Sequence, residues 1–189
     1  YSPQGATYSG SYNLFAGYGS GYNTGGDKNA ILGAYAGYYT TGSYNIFVGY
    51  AAGYGGTTSA PYSSGEKNVA MGYEALKSFT TGYNNIAIGY QALNTTTTSN
   101  DNVAIGNQAL KVQASNGNNI AIGSYSGDAM TSGYSNVVMG YGAMGAATTV
   151  VSNTAIGFGA MGSVPSGQAV TGVVAIGREA LEGGGSTTT

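Results

Sequence analysis

The stretch Gly82-Tyr83-Asn84-Asn85-Ile86-Ala87-Ile88-Gly89-Tyr90-Gln91-Ala92-Leu93 decides the fold. Its skeleton is Gly-x-x-Asn, an apolar-small-apolar triplet, Gly, two variable residues, then Ala-Leu. Aligned on the asparagine ahead of the triplet, that skeleton recurs at Asn13, Asn29, Asn45, Asn68, Asn85, Asn102, Asn119, Asn136 and Asn153. A degenerate tenth copy, Val174-Ala175-Ile176-Gly177-Arg178-Glu179-Ala180-Leu181, has Val173 in the asparagine place. The successive spacings are 16, 16, 23, 17, 17, 17, 17, 17 and 20 residues. A fixed step sustained this long is the signature of stacked structural repeats, each touching only its neighbours.

Each unit reads as one coil of a parallel β-solenoid. The alternation in Ile86-Ala87-Ile88 is strand periodicity. Asn85 and Gly89 bracket the strand as turn residues, since both tolerate positive φ. Glycine recurs too often for a helix, and no 3.6-residue apolar pattern lasts two turns. Ile, Val and Met at the first and third triplet positions are expected to stack on their equivalents in neighbouring coils. Ala-Leu after the turn (Ala75-Leu76, Ala92-Leu93, Ala109-Leu110) should close the other side of a thin core. The fold class expected is all-β, a solenoid of about ten coils of 16–17 residues, trimeric or polymerised. At ~4.8 Å per coil it would form a rod of roughly 50 Å.

The organisation expected is an N-terminal segment over 1–10, one solenoid domain over 11–182 and a flexible Gly/Ser/Thr tail over 183–189. Insertions at 53–64 and 162–171 break the rhythm as surface loops. Tyr1 in place of an initiating methionine reads as a processed chain or a fragment.

Composition narrows the function classes. The chain holds 35 glycines and 18 tyrosines but only 6% charged residues, with a net charge of -2. Five basic residues give no footprint for nucleic acid, and no basic amphipathic stretch suggests a membrane surface. No apolar run approaches the ~18 residues of a bilayer span, so no membrane insertion is expected. There is no cysteine and no histidine. Few charges with abundant Tyr, Thr, Ser, Asn and Gly fit an extracellular structural protein.

The Asn-x-Ala-Ile-Gly core occurs as Asn85-Ile86-Ala87-Ile88-Gly89, Asn102-Val103-Ala104-Ile105-Gly106 and Asn119-Ile120-Ala121-Ile122-Gly123. It resembles the head repeats of YadA-like trimeric autotransporter adhesins. The longer form, Thr80 to Leu93, is similar to repeats of phage tail fibres and bacterial surface proteins. The resemblance covers about residues 11 to 181, with coils longer than the short coil of the adhesin heads. It implies a left-handed parallel β-roll, usually a homotrimer, serving as an adhesive or structural rod.

Catalytic readings find little support. Gly140-Tyr141-Gly142-Ala143-Met144-Gly145 and Gly157-Phe158-Gly159-Ala160-Met161-Gly162 match G-x-G-x-x-G, but they are the repeat turn and open no helix in a βαβ unit. Hexapeptide-repeat acyltransferases also build left-handed β-helices, yet their chemistry needs a histidine base. The carboxylates Asp27, Glu66, Glu74, Asp101, Asp128, Glu179 and Glu182 fall in variable positions expected to point outward. Calcium-binding rolls repeat aspartate in every coil, and this chain does not. No catalytic, cofactor or metal residue is expected, and the protein is expected not to be an enzyme.

Two residue columns remain. Asn29, Asn45, Asn68, Asn85, Asn102, Asn119, Asn136 and Asn153, with Gly89, Gly106, Gly123 and Gly140, read as the structural repeat. Stacked asparagines can hydrogen-bond along the axis and fix the turn. Tyr18, Tyr50, Tyr73, Tyr90 and Tyr141, with Phe158, follow the repeat glycine, and Tyr12, Tyr44, Tyr83 and Tyr134 precede the strand. They read as an aromatic contact ladder, where tyrosine buries a ring and leaves its hydroxyl wet. The expected role is a subunit of an extracellular fibre or fibrous adhesin that self-associates as a homotrimer, an end-to-end polymer, or both. The alternative is a tail-fibre shaft or adhesin head binding a cell-surface glycan or receptor, with recognition in the insertion Gly53 to Ser64.

Overall fold

The structure is a computed structural model and describes residues 9–113, 115–164 and 170–181. Its described residues form a β-solenoid without helix. Ten three-residue strands stack in sequence order into one parallel sheet: β1 (Leu14–Ala16), β2 (Ala30–Leu32), β3 (Ile46–Val48), β4 (Val69–Met71), β5 (Ile86–Ile88), β6 (Val103–Ile105), β7 (Ile120–Ile122), β8 (Val137–Met139), β10 (Thr154–Ile156) and β12 (Val174–Ile176). Register is strict, so Ile86, Ala87 and Ile88 face Val103, Ala104 and Ile105, and so on along the stack. Two shorter strands, β9 (Val150–Val151) and β11 (Val170–Thr171), make a separate parallel pair. The N-terminal segment beyond Ser9, residues 165–169 of the second insertion and the tail from 182 lie outside the described residues.

The coil closes because backbone torsion changes hand at fixed places. The residue before each asparagine adopts positive φ (Lys28, Lys67, Asn84, Asp101 and their equivalents), as do the second and fourth residues after each repeat glycine. The asparagines themselves do not, so the turn falls one residue earlier than Asn85 suggested: Asn84 sits at φ 55° and Gly89 at φ 135°. At Gly89 only glycine fits, because a Cβ would overlap the Gly106 carbonyl oxygen of the next coil. These reversals point successive N–H groups to alternate sides, and hydrogen bonds between coils continue through the turns. The Asn84 N–H donates to the Glu66 carbonyl (3.1 Å), and the Leu76 N–H donates to the Ala92 carbonyl (2.9 Å). Such pairing answers the demand of every backbone group for a partner.

The core holds one residue from each triplet, and it is the middle one. Ile31, Phe47, Ala70, Ala87, Ala104, Ala121, Val138 and Ala155 are all fully buried, whereas Ile46, Met71 and Ile120 are about 40% exposed (44%, 41% and 40%). The aliphatic residues that lead and end each triplet do stack coil on coil, but outside the core. Across the narrow interior the middle residue is matched in size by the fourth residue after the glycine. Large Phe15, Ile31 and Phe47 face Gly21, Gly37 and Gly53, where a Cβ would come within 2.6 Å of the opposing side chain. Small Ala70, Ala87 and Ala104 instead accompany buried Leu76, Leu93 and Leu110. In these coils one large and one small side chain keep the width constant, as close packing requires, and where both are small, at Ala121 and Gly127, buried Met130 reaches into the space.

Candidate interaction surface

The buried asparagine column fixes one edge of the sheet. From Asn29 to Val173, each backbone N–H in this column donates to the Oδ1 of the asparagine one coil earlier, at 2.8 to 3.2 Å. In eight of the nine asparagines Nδ2 donates to a main-chain carbonyl three residues before the next column position, at 2.8 to 3.1 Å. From Asn68 onward the amides also bond to one another, as in Asn102 Nδ2 to Asn85 Oδ1 at 3.0 Å. The ladder ends at Val173, which accepts nothing from a further coil through its side chain.

The sheet's outer face carries the first and third triplet residues. Of these twenty positions, nineteen are aliphatic or Met and one is Thr154; none is charged. The charged residues lie elsewhere, as at Asp27, Lys28, Glu66, Lys67 and Asp101, one or two places before the asparagine. An apolar strip this long, broken by polar Thr154 alone, is uncommon on a lone soluble chain. Sequence reasoning did not find it, because an apolar-small-apolar triplet has the same period whichever side faces in.

The predicted aromatic ladder runs along one margin of that face in two segments. Tyr50, Tyr73 and Tyr90 stack with centroids 5.2 and 5.4 Å apart and ring planes 11° and 10° from parallel. Tyr141 and Phe158 stack at 5.4 Å, and the Arg178 guanidinium caps Phe158 at 5.6 Å. Where a small residue interrupts the column, the following tyrosine fills in: Tyr35, after Ala34, sets its edge against Tyr18 (5.4 Å) and Tyr50 (5.8 Å). All six predicted ladder residues are about half exposed. The opposite margin carries Tyr12, Tyr44, Tyr83 and Tyr134, also exposed, and the Lys28 ammonium donates to the Tyr44 hydroxyl at 3.0 Å. That bond holds the Lys28 pKa above its ordinary value.

A second aromatic column was not anticipated. Tyr22, Tyr38 and Tyr54, each five residues after a repeat glycine, stack at 4.6 and 5.4 Å, and Tyr39 packs edge-on against both Tyr38 and Tyr54. Their equal 16-residue spacing was the available signal. Burial raises the pKa of the Tyr38 and Tyr54 hydroxyls, and neighbouring tyrosines add to it. Tyr62, in the first insertion, stacks on Tyr39 at 5.6 Å, and Ser63 there is buried and bridged to Thr40, which pins that loop to the rod.

The described carboxylates are dispersed. Glu74 is the best organised: Lys77 Nζ donates to its Oε1 (2.7 Å) and Gln91 Nε2 to its Oε2 (2.9 Å). The Lys77 bond chiefly holds its carboxyl below the usual range. Asp128 is shifted the other way, pushed up by burial. No group of three or more Asp and Glu residues able to share a metal ion occurs among the described residues. No helix among them is long and apolar enough to cross a membrane.

Fold and surface together define a β-solenoid repeat protein with an apolar sheet face between aromatic margins. No protein-family model, curated protein or solved structure matches this chain.

Proposed function

We propose that the protein is a structural subunit of an extracellular fibre or fibrous adhesin, assembled by lateral association of solenoids through the outer sheet face. The uncharged aliphatic strip is the observation that carries this reading. Ten strands at ~4.8 Å and three residues at ~3.3 Å give a strip of roughly 43 by 10 Å. With its aromatic margins the face approaches the ~800 Å² per partner of a stable protein interface. A partner with the same axial repeat lets side chains interdigitate along its whole length, and another copy of this chain supplies that repeat. Three copies around an axis would each bury one strip, leaving the charged positions outside.

Electron microscopy of the purified protein with mass per unit length tests this reading. Uniform rods with several chains in cross-section support it. Particles one chain thick at every concentration would remove it.

A further inference from the structure

The second residue after each repeat glycine forms its own column on the rod: Tyr35, Ala51, Glu74, Gln91 and Gln108 in successive coils. All five share positive φ, between 51° and 59°, so their side chains leave the backbone in the same direction. In this run only Ala51 is small. The place its side chain leaves empty is a cleft of about 360 Å³, bounded along the column by Tyr35 and Glu74. Tyr50 and Tyr73 from the stacked ladder line it on one flank, Tyr54 and Lys77 on the other.

We infer that this cleft is a binding site for a hexopyranose, taken as the terminal residue of a glycan. The volume lies at the small end of ligand pockets, whose usual lining is aromatic with a few fixed polar groups. The two charged groups, Glu74 and Lys77, are already paired at 2.7 Å, so the cleft carries no net charge and does not select a strong anion or cation. Both retain capacity. A carboxylate has about four lone-pair sites, of which Lys77 and Gln91 occupy two, and an ammonium has three donors, of which Glu74 takes one. Neighbouring hydroxyls of a sugar ring can donate to Glu74 while another accepts from Lys77. Tyr54, stacked on Tyr38 alone, offers apolar ring surface for the sugar's C–H face, while Tyr50 and Tyr73, whose faces are stacked within the ladder, present edges and hydroxyls to its rim. A ligand that is apolar on its face and hydroxylated around its edge meets both demands. The low carboxyl pKa keeps Glu74 an acceptor throughout the neutral range.

The cleft opens at the Ala51 column, beyond the Tyr50–Tyr73 margin as seen from the strands, so it requires a folded solenoid and not its lateral assembly, and the two proposals fail separately. The test is saturation-transfer NMR with the methyl glycosides of glucose, galactose, mannose and N-acetylglucosamine, with open-chain sorbitol as comparison. At least one glycoside should show saturable transfer with Kd on the order of 1 mM, the range of a single weakly held ring. Sorbitol, which lacks the ring face, should show none. Ala51→Gln places in the cleft the residue that the same slot carries at Gln91 and Gln108, so the coil should still fold, verified by an unchanged circular dichroism spectrum. It should weaken binding at least tenfold. Gly142→Gln alters the same slot five coils further on, where a Cβ meets nothing within 4 Å, and should leave binding unchanged. Absence of transfer from every glycoside, equal transfer from sorbitol, or equal binding by the folded Ala51→Gln variant would each overturn the assignment.

Discussion

Asn85→Ala probes the ladder where it is wholly buried. Asn85 Oδ1 accepts from the Asn102 N–H (3.2 Å) and from Asn102 Nδ2 (3.0 Å), while its own Nδ2 donates to Asn68 Oδ1 (3.1 Å) and the Ser99 carbonyl (2.9 Å). After truncation, Asn68 Oδ1 still accepts from the residue 85 N–H, and Asn102 Nδ2 still reaches Ser99 Oγ at 3.3 Å. The Asn102 N–H and the Ser99 carbonyl lose the partner that Asn85 gave them, in an interior closed to water. At ~1–3 kcal/mol for each stranded buried group, the loss should be about 2–6 kcal/mol. Asn13→Ala, at the partly exposed first rung, should cost less because water can replace the amide. Asn85→Asp keeps the shape but turns the donor into an acceptor facing two acceptors. It should destabilise more at neutral pH and recover partly in acid, where the protonated carboxyl can donate once. Guanidinium unfolding followed by circular dichroism reads all three. Since coils are coupled only to neighbours, Asn85→Ala should also split the transition into two steps. A stability within about 0.5 kcal/mol of wild type, the scale of neutral surface changes, would refute a structural role for the column.

Core size-matching predicts that Phe47→Ala and Gly53→Leu each destabilise, the first by about 3–5 kcal/mol through its cavity. The double variant should regain much of the loss, because it recreates the Ala70–Leu76 arrangement at a φ, 54°, that Leu76 already adopts at 50°. Additive losses in thermal unfolding would contradict this. Gly89→Ala, whose Cβ would strike the Gly106 carbonyl, should cost more than about 4 kcal/mol, whereas Gly142→Ala should stay within about 1 kcal/mol. Equal effects would show that the turns are not set by close approach. The Tyr38 and Tyr54 hydroxyls have folded pKa values raised above their ordinary value of 10.0. Their contribution is therefore fully present below pH ~10 and lost as pH rises through the folded values. Unfolding monitored against tyrosinate absorbance should begin above pH ~10 and be delayed in Tyr38→Phe; an identical alkaline midpoint would count against it.

The repeat, its strands and the asparagine column were legible because each obeys a period visible in one line of sequence. Which side of the triplet faces inward was not, since Ile86-Ala87-Ile88 offers apolar residues to both faces and alternation alone has no sign. Asn84 and its equivalents hid the turn by filling a positive-φ position with Lys, Tyr, Asp or Ser instead of glycine. The exchange of bulk between Phe47–Gly53 and Ala70–Leu76 was readable only once the two positions were known to face each other. The same holds for the cleft at Ala51, an ordinary residue made informative by Tyr35 and Glu74 on either side. Strands β9 and β11 occupy the places three and two residues before the asparagine position, where most other coils begin with glycine, so the pattern announced no strand there.

Lateral assembly is tested most directly by sedimentation equilibrium of the wild-type chain beside the double variant Ile88→Lys/Ile105→Lys. These charges fall on two adjacent strands at the middle of the outer face. Wild type should sediment at an integer multiple of 18.8 kDa, with three the expected number, and the folded double variant at one. A wild-type protein that stays monomeric at every concentration, or a double variant that keeps the wild-type mass, would contradict the account.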